Sequence, residues 1–234
     1  TAIAINNANQ TLTVGAGGNL TINAAESVTN GKIVLAGGSL IGAFGITVGT
    51  GGTLSGFGSI PAGSKLTLAG GTLTQSGGIL AIDWVSGLGT INGVTGIGTL
   101  SPTGDIVLHG NVKATTFELL GTVDPTTTID GSTTATDFIE NNTLETVIIT
   151  GTGSLTATNS MAITAGIVDL QGGTLNGPPA GISLGTQGII QGYGAINGAL
   201  VGGGNVNATG ANQSQVLQIN GNVDQSGDAT TFGI

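Results

Sequence analysis

The stretch GGTLSGFGSI at residues 51–60 and the stretch GIIQGYGAI at residues 188–196 share one pattern, G-x-[LI]-x-G-[FY]-G-x-I. Apolar residues alternate in it with small or polar ones, the period of a strand buried on one face, and the glycines punctuate too often for a helix. Working outward, residues 46–60 align with residues 182–196 at a shift of 136, with 7 of 15 positions identical and Phe57 answered by Tyr193. Farther towards the N-terminus the shift becomes 135. Residues 11–42 then match residues 146–177 without a gap at 11 of 32 positions, where chance in a chain this rich in Gly and Thr supplies about a tenth. The chain is therefore internally duplicated.

A shorter period lies within each half. Gly-x-Leu or Gly-x-Ile units at Gly18, Gly38, Gly52 and Gly71 are 20, 14 and 19 residues apart, and Gly153, Gly173 and Gly188 repeat the first two spacings as 20 and 15. One such unit is too short to bury an apolar face alone, so successive units must stack. TLTV at 11–14, LTI at 20–22, KLTL at 65–68 and VLQI at 216–219 read as half-buried strands, and Asn-Gly pairs at 30, 92, 176, 197 and 220 supply residues for corners needing positive φ. The expected fold is all-β, a solenoid of irregular rungs. At roughly 19 residues per rung it would have about twelve. One continuous solenoid is expected over residues 1–234, with duplicated halves at 3–82 and 138–234 and a less repetitive middle section at 83–137. That section still carries rung-like text: TING at 90–93 echoes AING at 195–198, and HGNVK at 109–113 echoes NGNVD at 220–224.

Composition narrows the function. Forty-six of 234 residues are Gly but only 5 are Pro, and the glycines do not recur every third position, which excludes collagen. Charged residues make up 6 %, with three Lys, no Arg and a net charge of -9, so nucleic acid is excluded as a partner. The mean hydropathy of +0.38 comes without a membrane-length apolar run, and no membrane insertion is expected. Cysteine is absent, which excludes disulfides and thiolate metal sites. Thr1 opens directly onto Ala2, Ile3, Ala4 and Ile5, without a signal-peptide pattern, so an exported protein would be met here in processed form.

The text of residues 51–60, followed by LTLAGGTLTQSGGILAI at 66–82, resembles the repeats of bacterial autotransporter passenger domains and related surface adhesins. Residues 188–196, followed by LQINGNVDQSG at 217–227, resemble the same repeats. The resemblance implies a right-handed parallel β-helix outside a bacterial cell, and it implies no catalytic residue. The membrane barrel that would follow an autotransporter passenger has no counterpart in the text up to Gly233 and Ile234.

Sites are few. Parallel β-helices host glycan-cleaving enzymes, which need clustered carboxylates with Arg or Lys, yet Asp83 stands apart beside Trp84 and His109 is the single histidine. No catalytic residue, cofactor or metal site is assigned, and the chain is expected not to be an enzyme. Glu118, Asp124, Asp130, Asp137, Glu140 and Glu145 gather half of the twelve carboxylates; solvated loop charges are the favoured explanation, with calcium as the rival. Phe57 and Tyr193, each between two glycines, are expected to pack internally as a stacked ladder or at a rung edge, with an outward sugar platform as the alternative. Threonine pairs such as Thr11 with Thr13 do not recur at a fixed spacing, which argues against an ice-binding face.

The expected function is that of an extracellular or cell-surface structural protein that polymerises with itself head to tail. The alternative is an adhesin for a glycan or host surface. A solenoid exposes unpaired N–H and C=O groups at both ends unless a cap intervenes. The expected assembly ends are Ile3, Ala4 and Ile5 and, at the other terminus, Thr230, Thr231 and Phe232.

Overall fold

The structure, a computed structural model, describes residues 3–121 and 124–224, and residues 232–233 by their backbone alone. Every regular element among them is a β-strand, and the strands pair in parallel as stacked coils of a β-solenoid. The chain divides into two compact units, Thr1–Ala114 and Thr115–Ile234, with the boundary inside the 83–137 section. Unit 1 holds β1 (Ile5–Gly15), β2 (Asn19–Ile22), β3 (Glu26–Gly42), β4 (Ile46–Asn92) and β5 (Gly96–His109), while β6 (Asn111–Leu119) straddles the boundary in sequence. Unit 2 holds β7 (Thr126–Ile129), β8 (Ser132–Thr150), β9 (Ser154–Asn176), β10 (Ile182–Asn197), β11 (Leu200–Gly202), β12 (Asn205–Ala208), β13 (Leu217–Asn220), β14 (Val223–Asp224) and β15 (Phe232–Gly233).

In unit 1, β1 pairs with β3, which pairs with β4, so that Leu12, Ile33 and Leu54 stand one over another on consecutive rungs. Unit 2 builds the same column from Thr127, Val147, Val168, Ile190 and Val206. Apart from the half-buried Leu12, all of these are at most 2 % exposed. Each apolar member contributes about 1.5–3 kcal/mol by leaving water, and the outward alternate residues contribute little. This is the physical content of the period-2 text.

The duplication is reproduced in the register. Ile5 faces Val28, Asn6 faces Asn30 and Thr11 faces Lys32; 135 residues on, Glu140 faces Ile163, Asn141 faces Ala165 and Thr146 faces Ile167. Even the bulge recurs: Gly15 lies opposite both Ala36 and Gly37, and Thr150 opposite both Gln171 and Gly172. The glycines that open G-[FY]-G are required sterically. A Cβ on Gly56 or Gly192 would collide with the carbonyl oxygen of Leu35 or Leu170, and both glycines have positive φ, 109° and 103°.

One expectation is corrected and another holds in part. There are about ten turns, not twelve, because many rungs are longer than 19 residues: Thr11 advances to Lys32 and Ser132 to Ser154. The asparagines of the Asn-Gly pairs do not adopt positive φ; no non-glycine residue among those described does. In the pairs at 30, 92 and 197 the following glycine takes it, as Gly31, Gly93 and Gly198. Asn176, Asn197 and Asn220 instead form an amide ladder, each donating its Nδ2 to the rung before: Asn176 to Thr156 Oγ1 at 3.0 Å, Asn197 to Asn176 Oδ1 at 2.8 Å and Asn220 to Asn197 Oδ1 at 2.8 Å. Asn92 does the same to Thr74 Oγ1 at 3.2 Å, so the TING and AING echo is structural.

Candidate functional site

The residues expected at the assembly ends have distinct environments. Ile3 is half-buried, with its N–H donating to Glu26 Oε2 at 2.9 Å, Ala4 is exposed, and Ile5 is inside the core facing Val28. Together with Gln10, Thr11 and Leu12 they line a shallow concavity of about 280 Å³. Thr230 and Thr231 lie outside the described residues, whereas the backbone of Phe232 pairs with Val206 as β15 adds to β12. In β13, which lies on β10, the core-facing Leu217 and Ile219 are only half-buried.

The acidic stretch departs from the expectation of solvated charge. Asp124 is exposed, and Glu118, Asp130 and Asp137 are half-buried. Asp137 accepts hydrogen bonds from Ser160 Oγ and Asn159 Nδ2, which hold its carboxyl below the usual range. Glu140 and Glu145, however, are 0 % and 1 % exposed. They occupy the slots of Ile5 and Gln10 in the other half, so the corner turns Glu140 inward as it turns Ile5 inward. Glu140 accepts from the Asn142 N–H at 3.4 Å, Glu145 accepts from Thr127 Oγ1 at 3.1 Å, and Oε2 of each carboxyl lacks a hydrogen-bond partner. Burial, reinforced by Glu145, pushes Glu140 up to about 9; burial pushes Glu145 up to about 7 against the hydrogen bonds from Thr127 and Asn142. Among the described residues no three His, Cys, Asp or Glu side chains gather as metal ligands. Alignment of the halves was the signal for this burial, since it sets Glu140 against a core isoleucine.

The aromatic residues sort by their neighbours. Phe117 and Phe138 are buried edge to face, 5.2 Å between centroids. Asp83 is exposed, and the neighbouring Trp84 lies beneath Lys65 Nζ at 5.3 Å. His109 is half-buried with its backbone facing Asn92. Phe57 and Tyr193 lie on the outside of their rungs against glycine backbone. A Cβ on Gly37 would stand 3.1 Å from Phe57 Cε2, and one on Gly172 would stand 3.2 Å from Tyr193 Cε2.

Beside Tyr193 is a polar groove of about 360 Å³. Asp169 and Gln171 of β9, Gln191 and Tyr193 of β10, and Thr209 and Gln215 of the segment after β12 line it. Gln171 Nε2 donates to Asp169 Oδ2 at 2.9 Å, and the Thr209 N–H donates to the Gly192 carbonyl at 3.0 Å. No family model, curated protein or solved structure matches the chain.

Proposed function

We propose that the chain is an extracellular structural protein whose copies stack head to tail into a filament. The supporting observation is that the outer edge of β1 has a covered counterpart. Residues 11–14 correspond to residues 146–149, and in unit 2 that edge carries β7, with Thr126 facing Thr146 and Ile129 facing Ile149. Among the described residues no strand lies on the corresponding edge of β1, and Leu12 is half-buried where its counterpart Val147 is fully covered. The column that β7 heads continues through residues 146–149, 167–170 and 189–192 and β12 to β15. The β15 edge and the β1 edge thus belong to the same strand position of the repeat, each within its own unit. Pairing the β15 edge of one copy with the β1 edge of the next satisfies both rows of N–H and C=O groups and covers Leu12. The contact is heterologous and has no requirement to close, so it gives an open fibre. The likeness of residues 51–60 and 66–82 to passenger-domain repeats supports a location outside a bacterial cell.

The test is light scattering and electron microscopy of purified residues 1–234 over a concentration series. Filaments are expected, and Leu12→Lys, which sets a charge at the joint, should leave monomer with an unchanged circular dichroism spectrum. A wild type that stays monomeric at high concentration, or a Leu12→Lys variant that polymerises equally well, refutes the proposal.

A further inference from the structure

We propose that the groove beside Tyr193 in unit 2 binds a neutral saccharide. The internal duplication supplies the decisive comparison, because unit 1 has the same backbone at the corresponding place. There Val34 faces Ser55 and Ala36 faces Phe57. In unit 2, Asp169 faces Gln191 and Gln171 faces Tyr193. The interleaved core residues stay aliphatic in both units: Ile33, Leu35 and Leu54 correspond to Val168, Leu170 and Ile190, all 0 % exposed. All four outward residues, by contrast, become richer in hydrogen-bonding groups, from Val, Ala, Ser and Phe to Asp, Gln, Gln and Tyr. Folding does not call for this change, since unit 1 forms the same rungs without it.

The surroundings of the two rings differ in the same sense. In unit 1, Gly77 and Gly78 crowd Phe57 from a second side: a Cβ on either would stand 3.0 or 3.2 Å from the ring. In unit 2, Tyr193 rests against Gly172 and lines the groove, where it is half-buried, whereas Phe57 is 39 % exposed. The far wall is held in place by its own hydrogen bonds, from the Ala211 N–H to Gln215 Oε1 at 2.5 Å and from the Gln215 N–H to the Asn212 carbonyl at 3.0 Å.

This combination suits a sugar. A pyranose offers an apolar C–H face for an aromatic ring and vicinal hydroxyls that act as both donors and acceptors. A carboxylate supplies acceptors, and the glutamine amides supply donors and acceptors beyond those already used between Gln171 and Asp169 and between Ala211 and Gln215, in planar arrays that match such hydroxyl pairs. The volume of 360 Å³ falls within the range of small-ligand pockets. No Lys lines the groove, Asp169 does, and the chain has a net charge of -9, so uronates, sialates and sulfated sugars are disfavoured.

The experiment titrates residues 1–234 with neutral oligosaccharides of glucose, galactose, mannose and N-acetylglucosamine, and with acidic ones, by saturation-transfer NMR and calorimetry. At least one neutral sugar should bind, and Tyr193→Ala should weaken it by about tenfold or more. The combined variant Asp169→Val, Gln171→Ala, Gln191→Ser and Tyr193→Phe carries the side chains that unit 1 already folds with; it should keep the circular dichroism spectrum and lose binding. Phe57→Ala should leave binding unchanged. The proposal is overturned if no neutral sugar binds at about 10 mM, if acidic sugars bind better, or if the combined variant binds as well as the wild type. Monomeric protein serves equally well, so the outcome is independent of filament formation.

Discussion

Residues 5–10 and residues 140–145 take the chain through the same corner with different side chains inside it. In both, an asparagine side chain turns the backbone: Asn7 Oδ1 accepts the Asn9 N–H at 2.9 Å, and Asn142 Oδ1 accepts the Leu144 N–H at 3.1 Å. In both, a glycine of the following rung, Gly31 or Gly166, sits against the corner with positive φ, 126° and 94°. The first corner buries Ile5 and uses Gln10 Oε1 to accept the Asn6 and Asn7 N–H groups at 2.8 and 3.0 Å. The second buries Glu140 and Glu145. The exchange is partly reciprocal, since the buried Glu26 of unit 1 corresponds to Met161 of unit 2. The backbone path is thus specified by a few Asn and Gly positions, and the inward slots accept either a hydrocarbon or a carboxyl side chain.

The largest expected effect comes from attacking that shared backbone. A Cβ on Gly166 would stand 2.6 Å from the Asn142 carbonyl oxygen and would also meet Glu140 Oε1; one on Gly31 would stand 2.6 Å from the Asn7 carbonyl oxygen and 2.9 Å from that of Gln10. Gly166→Ala should cost about 3–4 kcal/mol, combining the strain of positive φ with displacement of buried backbone. Gly31→Ala should cost less, because its corner lies on β1, whose outer edge carries no strand among the described residues and can shift. Urea unfolding measures both. Equal costs would mean that the two corners are equally constrained.

Next is the acid pair. Glu140 and Glu145 start from 4.5 as free groups and are raised to about 9 and about 7 in the fold. Above pH 4.5 the unfolded chain releases protons that the folded chain retains, so rising pH favours unfolding. Stability should therefore fall from about pH 4.5 upwards, the Glu145 part ending near 7 and the Glu140 part near 9, and level off beyond. Glu140→Ile, which installs the residue that unit 1 uses, should raise stability at pH 9 by about 2 kcal/mol and flatten most of the slope. Thermal melts from pH 4 to 10 test this; a melting temperature that climbs with pH would contradict the burial of the pair.

Much of this was legible in the sequence, for physical reasons that differ by residue. The alternation in residues 65–68 follows from a face buried and a face wet, so the burial of Leu66 and Leu68 could be read directly. The duplication was equally plain, since Gly37, Gly38, Gly172 and Gly173 serve backbone approaches that tolerate little else. The side of the strand on which a polar residue lies was harder to read. A charge pattern alone gives Glu140 to solvent, and only its alignment with Ile5 turns it inward. The groove was least visible: Asp169, Gln171 and Gln191 are ordinary outward residues of their strands, and Gln215 reaches them from a segment that has no fixed place in the repeat. What the text offered was Tyr193 opposite Phe57, a single hydroxyl that in isolation reads as a conservative exchange.

The smallest expected effect concerns the amide ladder, and it sharpens the comparison between the units. Asn197 sits mid-ladder in unit 2, donating to Asn176 Oδ1 and accepting from Asn220 Nδ2, both at 2.8 Å. Asn92 in unit 1 donates to a hydroxyl, Thr74 Oγ1, at the longer distance of 3.2 Å. Removing an amide from the middle of the ladder strands an acceptor on one rung and a donor on the next; the part-buried Asn176 acceptor cannot fully recover its bond from water, whereas the exposed Asn220 donor can. Asn197→Ala should cost about 1.5 kcal/mol and Asn92→Ala about half of that. The Asn220 end of the ladder already has a second partner, since Gln218 Nε2 donates to Asn220 Oδ1 at 2.8 Å, so Asn220 can keep a fixed rotamer after the loss. Asn197→Asp separates geometry from charge. It keeps the shape and the bond from Asn220 but replaces the donor to Asn176 with an oxygen, so it should cost more than Asn197→Ala at pH 7 and less than it at low pH, where the carboxyl can protonate and donate. Chemical denaturation at the two pH values decides the matter, and an Asn197→Asp variant indifferent to pH would show that the stacked amides contribute by packing and not by their hydrogen bonds.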